Sequence, residues 1–201
     1  MSENAIVWSY ANAWEPIARL QPKQPAVLQG ERAFFWGEFD AQADALAAHM
    51  IAAGLRQNSK VGVYLYNCAE YLVANFAAFK TGLAPFNVNY RYTADELLYL
   101  FDNADAEAIV FHASFAERVD EIRGRLPQVK RWIAVEEPGF SAPSWADNYE
   151  RVISSVPPTR PTVAPWGRSN DDLLILYTGG TTGLPKGVMW RQEDQIGVTG
   201  F

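Results

Sequence analysis

Four short β-rich runs, starting at Val61, Ala84, Ala108 and Arg131, alternate with amphipathic stretches at intervals of about 25 residues. Strand–helix alternation of this kind builds βαβ units, because two parallel strands need a long crossover and a helix is its usual form. Leu72, Phe76 and Phe79 mark one such helix, closed by Gly82. Thr93-Ala94-Asp95-Glu96 spells a capping box ahead of Leu97, Leu100, Phe101 and Ala104, which share one helix face. Ser114-Phe115-Ala116-Glu117 spells a second, ahead of Val119, Ile122 and Leu126, with Pro127 as a stop. The pattern predicts an α/β fold, a mainly parallel sheet flanked by helices. No sequence period repeats, which excludes a solenoid.

Upstream, Val7, Tyr10, Trp14 and Ile17 keep a helical spacing, and Pro16 is expected to break that helix or start a second one. The segments 26–28 and 32–36 flank Gly30 as a hairpin, and Phe39, Ala43, Leu46 and Met50 mark a helix ended by a left-handed Gly54. Downstream, residues 136–170 carry prolines at 138, 143, 157, 158, 161 and 165. They read as a connector crossing the domain surface, with a short helix over Trp145–Ile153, because Trp145 and Trp166 need burial. Leu173 to Tyr177 then has the signature of a buried strand.

Composition removes several functions. Seventeen basic against 23 acidic side chains leave a net charge of -6, the wrong sign for sequence-independent nucleic-acid binding. Cys68 is the single cysteine and reads as a small inert thiol; His49 and His112 stand far apart, so no structural zinc site is expected. No metal ligands and no side chains for covalent catalysis stand out. No apolar run approaches the ~18 residues of a spanning helix, and Met1-Ser2-Glu3-Asn4 lacks the basic start of a signal peptide. A soluble, cytoplasmic chain is the expectation.

One segment carries chemistry. The strand ending at Tyr177 runs into Thr178-Gly179-Gly180-Thr181-Thr182-Gly183-Leu184-Pro185-Lys186-Gly187. Glycines let backbone N–H groups converge on an anion without Cβ clashes, the threonines add hydroxyl donors, and Lys186 adds a full positive charge. Together they suit the oxygens of a polyphosphate. By composition alone a plain turn, with Val188-Met189-Trp190 as the return strand, is an equal reading. Neither the Walker loop nor the dinucleotide fingerprint fits the spacing: Lys186 lies between Pro185 and Gly187, and no Gly-x-Gly-x-x-Gly occurs here.

The order of residues from Tyr177 to Met189 resembles the phosphate-loop signature of the adenylate-forming superfamily, which holds acyl-CoA synthetases, peptide-synthetase adenylation domains and luciferases. The usual serine is replaced by Gly179, which removes a hydroxyl but leaves a backbone donor. Asn87-Val88-Asn89-Tyr90-Arg91-Tyr92 with Glu96 to Leu100 is similar to the segment that precedes a core helix in fatty-acyl-CoA synthetases, and Gly187 to Asp194 resembles most the actinobacterial long-chain and steroid side-chain acyl-CoA synthetases. The likeness runs from Ala5 to Asp194 and weakens over Gln195 to Phe201.

That resemblance implies the N-terminal subdomain of the adenylate-forming fold over 1–170, and the strand, phosphate loop and start of the remaining AMP-binding domain over 171–201. It implies ATP-dependent joining of a carboxylic acid (fatty, steroid side-chain or aryl) to AMP, then acyl transfer to CoA, with Mg²⁺ assisting. Thr178, Gly179, Gly180, Thr181, Thr182, Gly183 and Lys186 are the implied phosphate-binding residues. Family members run to several hundred residues, and their adenine, ribose and magnesium motifs and catalytic lysine come later than Phe201. The expectation is therefore an N-terminal fragment or truncated gene product, inactive alone and prone to self-association through exposed sheet surface. The alternative is a non-catalytic nucleotide- or partner-binding module on the same fold. The seven tryptophans are expected in the core, with Trp190 the best placed to shape the site. His112 is expected to be structural, Arg91 to pair with Asp95, and Asp102 and Asp105 to be solvated helix-end charges.

Overall fold

The computed structural model describes residues 7–154, 162–179 and 184–199. Helix α1 (Tyr10–Leu20) precedes a two-stranded hairpin, β1 (Pro25–Gln29) and β2 (Arg32–Phe35), which turns at Gly30 with φ +58°. Helix α2 (Trp36–Ala52) follows and ends before Gly54, at φ +84°. Next come β3 (Lys60–Tyr64), α3 (Ala69–Lys80), β4 (Ala84–Asn87), α4 (Ala94–Asn103), β5 (Ala106–His112), α5 (Ala116–Arg123) and β6 (Arg131–Val135). The chain continues through β7 (Asp147–Asn148), α6 (Tyr149–Ser154), β8 (Leu173–Thr178), β9 (Lys186–Arg191) and α7 (Gln192–Thr199).

Among the described residues seven strands form one sheet in the order β7-β6-β5-β3-β4-β8-β9. Every pairing from β7 to β8 is parallel; β8 and β9 are antiparallel, with Thr178 opposite Lys186 and Tyr177 opposite Gly187. Each face of the sheet has its own core. Val61, Val63, Ala108, Val110 and Ile133 face helices α1, α2, α3 and α6, while Tyr64, Ile109, Phe111 and Ala134 face α4 and α5. Successive strand residues point to opposite faces, so burial on both sides requires the nearly continuous apolar runs seen at β3 and β5.

The structure departs from the sequence expectations in four places, each with a physical cause. Pro16 lies inside a single unbroken α1. The Ser9 hydroxyl caps the helix by accepting from the Asn12 N–H at 3.2 Å, and Tyr10 and Trp14 pack on Phe79 and Phe76, so the helix survives the bond that Pro16 cannot donate. The Thr93 capping box forms, but Ser114 caps nothing: its hydroxyl and N–H both go to the Glu137 carboxylate. The helix expected over Trp145–Ile153 starts only at Tyr149, because Asp147 and Asn148 pair with Ile133 and Ala134 of β6. In β8 only Ile175 and Tyr177 are buried, since β9, its outer neighbour, is exposed along its whole length.

A polar lock secures the helices and the connector. Lys80, at the end of α3, is fully buried and places its Nζ 3.1 Å from Glu15, 2.7 Å from Asp40 and 2.9 Å from Asp44. Burial alone would lower its pKa, but hydrogen bonds from its ammonium to Asp40 and Asp44 carry it above the ordinary lysine value. The connector is fastened at the same spot. Arg168 donates to the Lys80 carbonyl and to Glu15, Trp166 Nε1 donates to the Thr81 carbonyl, and Thr162 bonds Asp44 through N–H and hydroxyl. Buried Asp172, just ahead of β8, accepts from Gln57 and from the Ser169 N–H. A third left-handed glycine lies against it: Gly82 has φ +63°, and a Cβ there would sit 3.1 Å from the Asp172 carboxylate.

Candidate functional site

The β8–β9 hairpin projects beyond the carboxyl ends of the parallel strands β3 and β4, the edge at which open α/β sheets collect ligands. Its last paired residues are Thr178 and Lys186, which face each other across the ladder and close a seven-residue loop, 179–185. Thr178, Gly179 and Lys186 are all exposed. Lys186 forms no ion pair with a described residue, unlike Lys80 and Lys130. Gly180, Thr181, Thr182 and Gly183 of the expected phosphate set lie outside the described residues. The plain-turn and phosphate-loop readings therefore share one geometry: Val188-Met189-Trp190 is indeed the return strand, and the loop is its hairpin connection.

Both ends of that loop are tied to β4 and α4. The Asn87 side chain accepts from the Tyr177 N–H at 2.9 Å and donates to the Tyr177 carbonyl at 3.4 Å. The Tyr99 hydroxyl donates to the Pro185 carbonyl at 3.3 Å, and the Tyr177 hydroxyl donates to the Asn103 side chain at 2.8 Å. Burial pushes the Tyr177 phenol above its ordinary pKa, so it stays a neutral donor. Gly187 is needed at its position for contact: a Cβ there would lie 3.0 Å from the Tyr177 ring and 3.1 Å from Ile175 Cγ2.

Beside the loop a cleft of about 540 Å³ opens along the carboxyl edge. Asn67, Tyr71, Asn87, Asn89, Tyr90, Tyr92, Tyr177 and Gly179 line it, with Leu65 and Val88, and none of these residues carries a charge. The cleft lining thus offers hydrogen-bonding groups and no formal charge. One wall is fixed by Arg118, which donates to the Tyr64 hydroxyl at 2.7 Å and to the Tyr90 carbonyl at 3.2 Å. No cluster of three or more His, Cys, Asp or Glu side chains suited to a metal occurs among the described residues.

The remaining sequence candidates divide. Arg91 lies over the Tyr90 ring at 5.3 Å and makes no ion pair with Asp95. Asp102 and Asp105 are exposed. Trp190, 39% exposed on β9, is less buried than the core expectation for tryptophan. His112 is buried at the end of β5, its Nδ1 3.6 Å from Glu137 and its Nε2 3.8 Å from Cys68 Sγ. Burial lowers its pKa despite Glu137 and Glu70 nearby, and burial pushes the Cys68 thiol up to about 12. Thiol and imidazole are both neutral, so the pair is inert as a nucleophile and base. Asn87, Tyr99 and Tyr177 stand in the segments that carry the resemblance, but the sequence did not show what they contact. Each binds a partner 74 to 90 residues away, and no local spacing announces such a contact.

Comparison with known proteins adds lineage to this geometry. The AMP-binding enzyme family matches residues 14–198. The medium-chain acyl-CoA ligase Mig of Mycobacterium avium is 35% identical across all of this chain and 38% of its own length. A 3-oxocholest-4-en-26-oate–CoA ligase of Rhodococcus rhodochrous is 38% identical across 94% of this chain and 34% of its own. Among solved structures, the anthranilate CoA ligase AuaEII in complex with anthranoyl-AMP superposes with a TM-score of 0.83 at 21% identity, covering 96% of this chain and 37% of that one. Acetoacetyl-CoA synthetase from Streptomyces lividans gives 0.77 at 24% identity, over 92% and 30%. The chain spans about a third of the length of these proteins. No helix among its described residues is long and apolar enough to cross a membrane.

Proposed function

Because the chain belongs to the AMP-binding enzyme family, we propose that it supplies the N-terminal portion of an ATP-dependent acid–CoA ligase. Such a ligase joins a carboxylate to AMP with release of pyrophosphate and then moves the acyl group to CoA. In this reading residues 1–170 are the α/β platform, and 171–201 carry the strand, the phosphate loop and the start of the remaining domain. The observation that carries the reading is the hairpin that ends in Thr178 and Lys186, joined by a glycine- and threonine-rich loop at the carboxyl edge of the sheet.

The physical role of that hairpin is electrostatic. Backbone N–H groups from Gly179 onward, the hydroxyls of Thr178, Thr181 and Thr182, and the Lys186 ammonium donate to the β- and γ-phosphate oxygens. Donors fixed before reaction stabilise the charge that gathers on departing pyrophosphate. Gly180 and Gly183 let the backbone approach without side-chain clash. Magnesium belongs to the triphosphate in this scheme and would neutralise its oxygens. The names of the relatives point to a fatty or steroid side-chain acid as the substrate, and a cytoplasmic setting fits one free thiol. The exposed edge of β9 is then the seam to the rest of the domain. An isolated chain would pair with a second copy there.

The test is acid-dependent pyrophosphate release with ATP and magnesium. The protein assayed carries these residues ahead of the downstream two-thirds of the Mycobacterium avium relative, with and without Lys186→Ala. Release that falls at least about tenfold on loss of the ammonium is expected, and none from the 201 residues alone. A folded protein that releases no pyrophosphate, or whose release ignores Lys186, contradicts the proposal.

A further inference from the structure

We propose that Asn87 and Tyr99 are positioning residues for the phosphate loop, holding its two ends in register with the β4–α4 unit; this rests on reading 178–187 as a triphosphate grip. The ladder between β4 and β8 has a single paired position, Phe86 with Ile175. Past it the Asn87 amide takes over: Oδ1 accepts from the Tyr177 N–H at 2.9 Å and Nδ2 donates to its carbonyl at 3.4 Å. That bond pair lies one residue before Thr178. At the other end Tyr99 donates to the Pro185 carbonyl at 3.3 Å, one residue before Lys186.

Both anchors stand beside packed core residues, and Phe86, next to Asn87, meets Phe101 of α4 edge-on at 6.4 Å. Helix α4 begins in a complete capping box, and Leu97, Leu100 and Phe101 are fully buried beneath it. Ordering a glycine-rich segment around an anion costs conformational entropy, and fixing the residues at its two ends beforehand reduces that cost. Asn87 is suited to the task because one planar amide serves a donor and an acceptor of the same peptide backbone, which an aspartate, with no donor of its own, cannot do. A bond that merely stitched the sheet would raise thermal stability and leave anion affinity unchanged.

Calorimetric titration with inorganic tripolyphosphate separates the two. Asn87→Ala and Tyr99→Phe are each expected to weaken binding about threefold to tenfold, the effect of losing one or two hydrogen bonds. Lys186→Ala should weaken it at least as much. Trp166→Phe, which loses the Thr81 bond away from the loop, should lower the melting midpoint without moving affinity. Tyr99→Phe keeps the ring and its packing, so it carries the test if Asn87→Ala does not fold. If Lys186→Ala weakens binding while neither anchor variant does, or if Trp166→Phe weakens it equally, the inference falls and the phosphate-grip reading stands. If the unaltered chain binds no tripolyphosphate, or binding ignores Lys186, the reading falls and takes the inference with it.

Discussion

Lys80→Met tests the polar lock at the end of α3. The substitution keeps the length of the side chain and removes its charge, leaving Glu15, Asp40 and Asp44 around a thioether. All three carboxylates are within 3.1 Å of Nζ, and the lysine side chain is 0% exposed, against 20%, 24% and 5% for the acids. Arg168 still reaches Glu15, so Asp40 and Asp44 lose the most. Breaking a buried pair by removing one partner costs about 3–5 kcal/mol, which for a chain of this size lowers the melting midpoint by roughly 6–20 °C. The pH dependence is sharper evidence. Burial already raises the Asp44 pKa, with Lys80 opposing it, so removing the cation raises it further. A carboxyl whose folded pKa is raised gains stability as pH falls through that value. In the parent the Glu15 pKa runs the other way: burial pushes it up, but the Arg168 and Lys80 contacts bring it below the usual range. Its contribution is present above the unfolded value and fades in acid. The deficit of Lys80→Met, measured by urea unfolding followed through tryptophan fluorescence, should therefore shrink between pH 7.5 and pH 5. A deficit under about 1 kcal/mol at pH 7.5, or one that is the same at both pH values, refutes the reasoning.

One further substitution probes the loop, and one reagent probes the buried thiol. Gly179→Ser restores a hydroxyl where the family usually has one, and a Cβ there meets nothing within 4 Å. It should tighten tripolyphosphate binding about threefold to tenfold in a calorimetric titration, with no loss of thermal stability; unchanged or weaker binding counts against the loop's role. Cys68, with its thiol pushed up to about 12, should react with iodoacetamide at pH 8.5 at least about tenfold more slowly than an exposed cysteine. Stoichiometric labelling within minutes would show a thiolate that the buried site does not allow.

The backbone plan was legible because period-two and period-3.6 apolar patterns are local signals. The four β-rich runs became β3 to β6, and the hairpin at Gly30 and the left-handed ends at Gly54 and Gly82 followed from residues within a few positions of each turn. Misreadings came where a distant group outbid a local rule. Thr93 and Ser114 head equally good capping boxes, yet Glu137, 23 residues further on, captures the Ser114 hydroxyl. Pro16 stays helical because aromatic packing on α3 outweighs one missing bond. In the site, the order of residues from Thr178 to Lys186 was enough to suggest a phosphate loop. Its supports at Asn87 and Tyr99 were invisible, since each acts on backbone 90 or 86 residues away. The buried Lys80 lock was equally hidden: one lysine at a helix end reads as surface until three carboxylates are folded around it.

Everything functional depends on the β8–β9 hairpin gripping phosphate oxygens. Amide chemical-shift mapping of the labelled chain during a tripolyphosphate titration observes this directly. Saturable shifts concentrated between Tyr177 and Gly187, spreading to Asn87 and abolished by Lys186→Ala, are predicted. Shifts scattered over basic surface residues, reproduced by sodium chloride at equal ionic strength, would contradict it.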